Sequence, residues 1–375
     1  MAKEKSGKDT GNNGMNKAQS LMERMLKNSK VESVERLLDS QILNEKPPAQ
    51  TRVKLINVAL SGKIDGGVPG SGGCTLICGP SRHYKSSYGL IAVKGFLDAN
   101  PDGICIYYNN EFGIKKPYFE NAGIDMSRII HTPVENLEKF KFDIVSQLEE
   151  LTIEDKVIIF FDSFGGSASK KEIQDSLDEK TSADFTRAKT IKSIMRMITP
   201  YLYMKNIPFI GIAHTYADMN SYGGTKQIVG GGTGLYYNPD AIWIVGKSQV
   251  KEGEEKVGST FTINIEKSRF VKEGAKIPIV VRWDSGIANY SGFGELAKEF
   301  GIVTDGRRGK SFTLQYTKID GTVIDTLLKR NDEDETFWET VLNETDLAYR
   351  IEKYYSIPTP KSISDNIEDD EESDD

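Results

Sequence analysis

The stretch Gly79-Pro80-Ser81-Arg82-His83-Tyr84-Lys85-Ser86-Ser87 constrains this chain more than any other. It leaves an apolar run, CTLIC, that reads as a buried strand, and it enters a helical run beginning at Lys85. Strand, turn and helix in that order are the setting of a phosphate-binding loop. There the loop N–H groups and the positive helix end face phosphate oxygens, a lysine reaches the β and γ phosphates, and the next hydroxyl ligates Mg²⁺. Lys85 and Ser86 fill those two positions. One residue departs from the pattern: the glycine expected before the lysine is Tyr84, whose side chain restricts the backbone where a nucleotide passes close. An incomplete loop of this kind also arises by chance, so it needs support from elsewhere in the chain.

That support lies in order and spacing. Val157–Asp162 is an apolar run ending in an acid, placed to hold the Mg²⁺ shell through Asp162 and water. Between the two motifs, GICIYYNNEFG sets Glu111 just beyond a strand, at the edge of a parallel sheet where ligands bind. A carboxylate there polarises the attacking water as a general base. Singly, Asp162 also fits any strand end before a turn, and Glu111 also fits a helix cap. Together they point to ATP and Mg²⁺ as cofactors.

The rest of the chain supplies the frame. Apolar runs at 74–79, 103–108, 128–132, 156–162 and 207–213 alternate with helical stretches from Lys85, at Ile114–Ala122, Leu137–Leu151 and Thr181–Met204. This is the pattern of buried parallel strands with crossover helices. Three more strand-like runs follow, at 240–246, 259–267 and 276–283. The expected organisation is a disordered start with a helical arm and linker (1–50), an α/β core (51–292), a small α+β C-terminal domain (293–358) and an acidic tail (359–375). In the arm, Leu21, Met22, Met25, Leu26, Val31, Val34, Leu37 and Leu38 recur at helical spacing from about Lys17 to Leu43. Such an arm folds back on its own core or docks on a neighbour; composition does not separate the two.

Charge does not decide the ligand. The net charge is −7, but the last eleven residues carry eight acids and no base, leaving the remainder marginally positive. A tail of this kind serves a partner, self-regulation or solubility alone. No apolar run is long enough to span a bilayer and the N-terminus has no leader-like segment, so a cytoplasmic protein without a membrane partner is expected. Cys74, Cys78 and Cys105 sit in strand-like runs with no clustered histidines and read as buried free thiols.

The pieces NVALSG, GPSRHYKSS, EFGI, IIHTPV, the block from FFDS through ASKKE to TRAKT, AHTY, VGGGTG and EKSR give most of the chain from Asn57 onward a resemblance to RecA. More narrowly, the chain is similar to the UvsX branch of phage recombinases, where an aromatic before the loop lysine is a habit. The resemblance implies a RecA-like P-loop ATPase with a mainly parallel central sheet flanked by helices. It implies that Tyr118 stacks on adenine, that His214 senses the γ-phosphate, and that Lys267 and Arg269 reach the ATP of the adjacent subunit. Without it, Tyr118 and His214 fit ordinary structural side chains equally well.

The resemblance also implies DNA contact at two loops. The first, 164–180, carries Lys170 and Lys171 and is followed by a basic helix with Arg187, Lys189, Lys192 and Arg196. The second, 215–234, is glycine-rich and carries Tyr216, Tyr222, Lys226, Gly230, Gly231, Gly232 and Thr233. Backbone amides, lysine and aromatic rings suit a wrapped single strand, although the basic helix also fits a solvated face. The implied partners are single- and double-stranded DNA, a homo-oligomeric helical filament, a recombination mediator and a single-strand binding protein. The expected function is ATP-dependent homologous pairing and strand exchange. A hexameric RecA-fold helicase and a non-catalytic accessory protein are the competing readings.

Overall fold

The computed structural model describes residues 10–31, 33–178, 186–217, 227–308, 311–325 and 335–357. It divides into two compact units, Met1–Glu45 and Lys46–Asp375.

The described part of the first unit contains helix α1, Thr10–Asn28, and a 3-10 turn at Leu37–Asp39. The expected helix to Leu43 therefore stops early. At the break the Ser29 hydroxyl accepts the Val31 N–H at 3.1 Å, giving the backbone a local partner in place of a helical one. The β-branched Val31 and Val34 add little helix preference beyond it.

The second unit begins before residue 51. Ala49 and Val68 exchange backbone hydrogen bonds of 2.9 and 2.8 Å, so the expected linker runs straight into the body. Helix α2, Lys54–Ser61, is buried along most of its length. Its Asn57 accepts from Thr51 N–H at 2.8 Å and donates to the carbonyls of Thr51 and Ile64, both at 3.1 Å. One buried amide thus folds the NVALSG segment about itself.

The alternation that follows is β1 Gly73–Cys78, α3 Lys85–Ala99, β2 Ile104–Asn109, α4 Lys116–Asn121, β3 Ile129–Pro133, α5 Leu137–Glu150 and β4 Val157–Asp162. Next come α6 Lys170–Leu177, α7 Thr186–Met204, β5 Pro208–Ala213, the short pair β6 Thr215–Ala217 and β7 Gln227–Val229, and α8 Thr233–Tyr237. Strands β8 Ala241–Glu252, β9 Glu255–Lys267 and β10 Lys276–Arg282 complete the sheet. Its order is β10-β9-β8-β1-β5-β4-β2-β3. The six strands from β8 to β3 run parallel, and β9 and β10 pair antiparallel at one edge. Strand β4 shows why its run is apolar throughout. Ile158 and Phe160 face one core and Ile159 and Phe161 the other, the period-two alternation of a strand covered on both sides.

Two expectations are revised. The first loop is not a loop throughout, because α6 occupies 170–177. Its Ser169 hydroxyl accepts from Glu172 N–H while the Glu172 carboxylate accepts from Ser169 N–H, a capping box written in the sequence as Ser-Lys-Lys-Glu. The C-terminal segment does have its α+β elements: α9 Phe293–Glu299, the antiparallel sheet β11 Val303–Arg308, β12 Ser311–Thr317 and β13 Val323–Asp325, then α10 Glu335–Glu344 and α11 Leu347–Tyr355. It is not a separate body, however. Phe293, Trp338 and Tyr355 join the same core as α2 and β10, Tyr355 donates to the Lys276 carbonyl at 2.9 Å, and Ser356 donates to that of Gly62 at 2.7 Å.

Candidate nucleotide site and DNA-facing loops

Four adjacent strands, β1, β5, β4 and β2, end on one edge of the sheet, and the candidate residues sit where they end. Register fixes the neighbours. Cys78 lies beside Ala213, setting the loop 79–84 next to His214, and Asn109 lies beside Asp162, setting Glu111 next to the Asp162–Ser163 turn. Residues far apart in sequence are thereby brought into one cluster.

Lys85 is the first residue of α3, and its Nζ donates to the Pro80 carbonyl at 2.8 Å. Burial lowers its pKa, and the carboxylates of Glu111 and Asp162 oppose that shift. Asp162 is buried, which pushes its carboxyl up to about 6 against the pull of a hydrogen bond from Ser86. Asp162 Oδ1 has no hydrogen-bond partner among the described residues. A buried carboxylate oxygen left unpaired beside a serine hydroxyl and a lysine suits a divalent cation, so Ser86 and Asp162 fit the Mg²⁺ site expected of them. Glu111 is held below the usual carboxylate range, first by His214 and also by Ser163 and Lys85, with burial acting the other way. It is charged at neutral pH, as a base must be.

His214 joins the site to both loops. Its Nε2 lies 3.5 Å from Glu111 Oε2, and its carbonyl accepts from Gly230 N–H at 2.9 Å. On its other side stands Gly165, where an added Cβ would come within 1.9 Å of His214 Cδ2. Only glycine lets the first loop approach that closely.

A network that the sequence reading missed runs beside this one. Ser163 donates to Glu111 Oε2 at 3.0 Å, and its N–H donates to Asn110 Oδ1 at 2.6 Å. Asn110 in turn donates to the Ser167 hydroxyl, which donates to the Ser163 carbonyl at 3.0 Å. The only signal for Asn110 and Ser163 was adjacency to Glu111 and Asp162.

The residues expected to face DNA divide. Arg187 turns inward and donates to the carbonyls of Phe164, Gly165 and Ser167 at 2.8, 3.2 and 2.9 Å. It braces the first loop and does not join the exposed basic face, a correction to the sequence expectation. Lys189, Lys192 and Arg196 do share an exposed face of α7, because positions three and four apart lie together on a helix. Lys170 and Lys171 open α6, and Lys171 pairs with Asp175. Tyr216 is exposed on β6, and Gly230, Gly231, Gly232 and Thr233 lead from β7 into α8. Tyr222 and Lys226 lie outside the described residues, as does the acidic tail.

Lys267 and Arg269 are not at this edge. Asp240 and Ala241 lie beside Cys74 and Thr75, near the start of β1, and Lys267 pairs with Ile242. The phosphate loop follows the other end of β1, about 16 Å along a six-residue strand. Lys267 Nζ donates to the carbonyls of Tyr237 and Pro239 at 2.8 and 2.7 Å. Arg269 Nε lies 2.7 Å from Asp240 Oδ1, and its guanidinium stacks over Tyr203.

No family model matches the chain. It is 43% identical over 289 residues to the recombination and repair protein of Enterobacteria phage T4, covering 77% of this chain and 73% of that one. It is 23% identical over 303 residues to RecA of Bacteroides thetaiotaomicron, covering 80% and 87%. The crystal structure of the RadB recombinase aligns with a TM-score of 0.46 at 19% identity, over 64% of this chain and 98% of that one. The chain belongs to the UvsX-type phage recombinases of the RecA family.

Proposed function

We propose that this recombinase polymerises as a helical filament on single-stranded DNA and couples ATP hydrolysis to homologous pairing and strand exchange with duplex DNA. The observation that carries this reading is the convergence of Lys85, Glu111, Asp162 and His214 at four neighbouring strand ends, with both DNA-facing segments in contact with His214. Lys85 and the loop amides bind the triphosphate. Ser86 and Asp162 would hold Mg²⁺, which would supply positive charge against the triphosphate. Glu111 orients the attacking water and takes its proton, while Ser163 and His214 fix the carboxylate.

The position of Lys267 and Arg269 favours action on a neighbour's nucleotide, since neither is near its own Lys85. A cation brought across an interface stabilises charge developing on the transferred phosphoryl group. Base pairing supplies sequence specificity and the protein holds mainly the backbone. The work belongs in the host cytoplasm, alongside a mediator and a single-strand binding protein.

Electron microscopy with ATP and single-stranded DNA, paired with phosphate-release assays, tests the whole reading. Helical filaments and DNA-stimulated hydrolysis are expected. Closed rings, or hydrolysis indifferent to DNA, would overturn it.

A further inference from the structure

The residue before the phosphate-loop lysine is held in a costly conformation. Tyr84 has φ 60° and ψ 11°, the left-handed region that glycine enters freely and a bulky side chain does not. Its ring is anchored on two buried aromatics, Phe261 of β9 at 5.1 Å and Tyr88 of α3 at 6.3 Å between centroids. Lys247 Nζ in turn lies 5.5 Å from the centre of the Phe261 ring. These contacts place the Tyr84 side chain in the wall of a cavity of about 740 Å³ beside the phosphate loop. Tyr118, Ser87, Asn121 and Trp283 line the same cavity. Burial pushes the Tyr84 phenol up, and the Tyr118 phenol adds to that shift.

We propose that Tyr84 is a specificity-determining residue, its ring adding to that of Tyr118 a second aromatic surface that selects a purine nucleoside triphosphate. The proposal rests on the reading of this site as an ATPase. Base–aromatic stacking accepts every base, and its preferences come from stacking strength, to which a purine brings a broader face than a pyrimidine. Because Tyr84 is bonded directly to Lys85, a base seated against its ring also bears on the residue that holds the phosphates. The strained backbone is then retained because glycine would leave this wall of the cavity bare.

The test compares KM and kcat for ATP and CTP on single-stranded DNA, in the full chain and in Tyr84→Leu, Tyr84→Gly and Tyr84→Phe. Binding of inorganic tripolyphosphate with Mg²⁺ is measured alongside. Leucine fills the space against Phe261 without a stacking face, so Tyr84→Leu is informative even where Tyr84→Gly folds poorly. Both should raise KM for ATP about tenfold while moving KM for CTP far less, and tripolyphosphate binding should persist. Tyr84→Phe should restore the preference. An unchanged ratio of the ATP and CTP KM values in Tyr84→Leu, or failure of Tyr84→Phe to restore it, would overturn the proposal. A parent protein that binds neither nucleotide nor tripolyphosphate would overturn the ATPase reading instead.

Discussion

The imidazole of His214 stands 3.5 Å from the Glu111 carboxylate on one side and fills the space above Gly165 on the other. The carboxylate proposed as the base and the segment proposed as the first DNA contact therefore share one side chain as neighbour, so a shift in either must be met by the histidine between them. Substituting Gly165→Ala places a methyl within 1.9 Å of the ring, so the loop or the histidine must move. Nucleotide binding should survive while stimulation of hydrolysis by single-stranded DNA falls about tenfold or more. Equal stimulation in parent and variant would mean that the contact carries no signal.

Charge at the hydrolytic site makes a separate prediction. Glu111→Gln keeps the shape but removes the carboxylate proposed as the base, so ATP should bind and hydrolysis should fall by 10²-fold or more. Lys85→Ala should lose binding and turnover together. Phosphate release and equilibrium nucleotide binding, measured side by side, distinguish the two.

In the proposed Mg²⁺ site, Asp162 links metal to pH. Its carboxyl is pushed up to about 6 by burial, above the ordinary value near 3.9. The folded protein thus holds a proton that the unfolded chain releases. Without metal, the stability this gives is full below about pH 4 and is lost as pH rises through about 6. Mg²⁺ requires the ionised form, so its binding should tighten as pH rises from 5 to 7 and should release protons below pH 6. Thermal midpoints across that range with Mg²⁺ and with chelator measure both effects. Asp162→Asn should abolish the difference between them.

The salt dependence of DNA binding should separate α7 into two kinds of cation. Removing Lys192 from the exposed face should flatten the log–log slope on single strands by about 0.7 if it meets one phosphate. Arg187→Ala instead strips three carbonyls of a charged donor. It should lower stability by roughly 1.5–3 kcal/mol, the scale of hydrogen bonds to a charged group, and leave the salt slope nearer its parent value. Chemical denaturation and salt titration read the two quantities.

The distance between Lys267 and its own phosphate loop predicts complementation. A Lys267→Ala/Arg269→Ala subunit retains its own Lys85 and Glu111, and a Lys85→Ala subunit retains both distal cations. Mixed filaments, verified by labelling each protein, should hydrolyse ATP faster than either variant alone. Co-assembly with no recovery at any ratio would place the cations outside the hydrolytic site.

Most of the strand–helix order was legible in the sequence, because a strand buried on both faces must be apolar throughout and a crossover helix must be longer and amphipathic. That Lys85, Ser86, Glu111 and Asp162 lie at or beyond strand ends was legible as well, since an apolar run precedes each of them. The Ser169–Glu172 capping box was written there but passed over as loop. What the sequence alone could not carry was direction and adjacency. Arg187 and Lys192 are five residues apart in one basic stretch, yet the first turns inward to three carbonyls and the second stays in solvent. Strand order decided the rest: β5 lies between β1 and β4, bringing His214 to Glu111. The start of β8 beside the start of β1 sets Lys267 and Arg269 at the far edge from their own loop. Local pattern records which residues a segment must bury, whereas register between distant strands fixes which of them meet, and that register exists only once the sheet has formed.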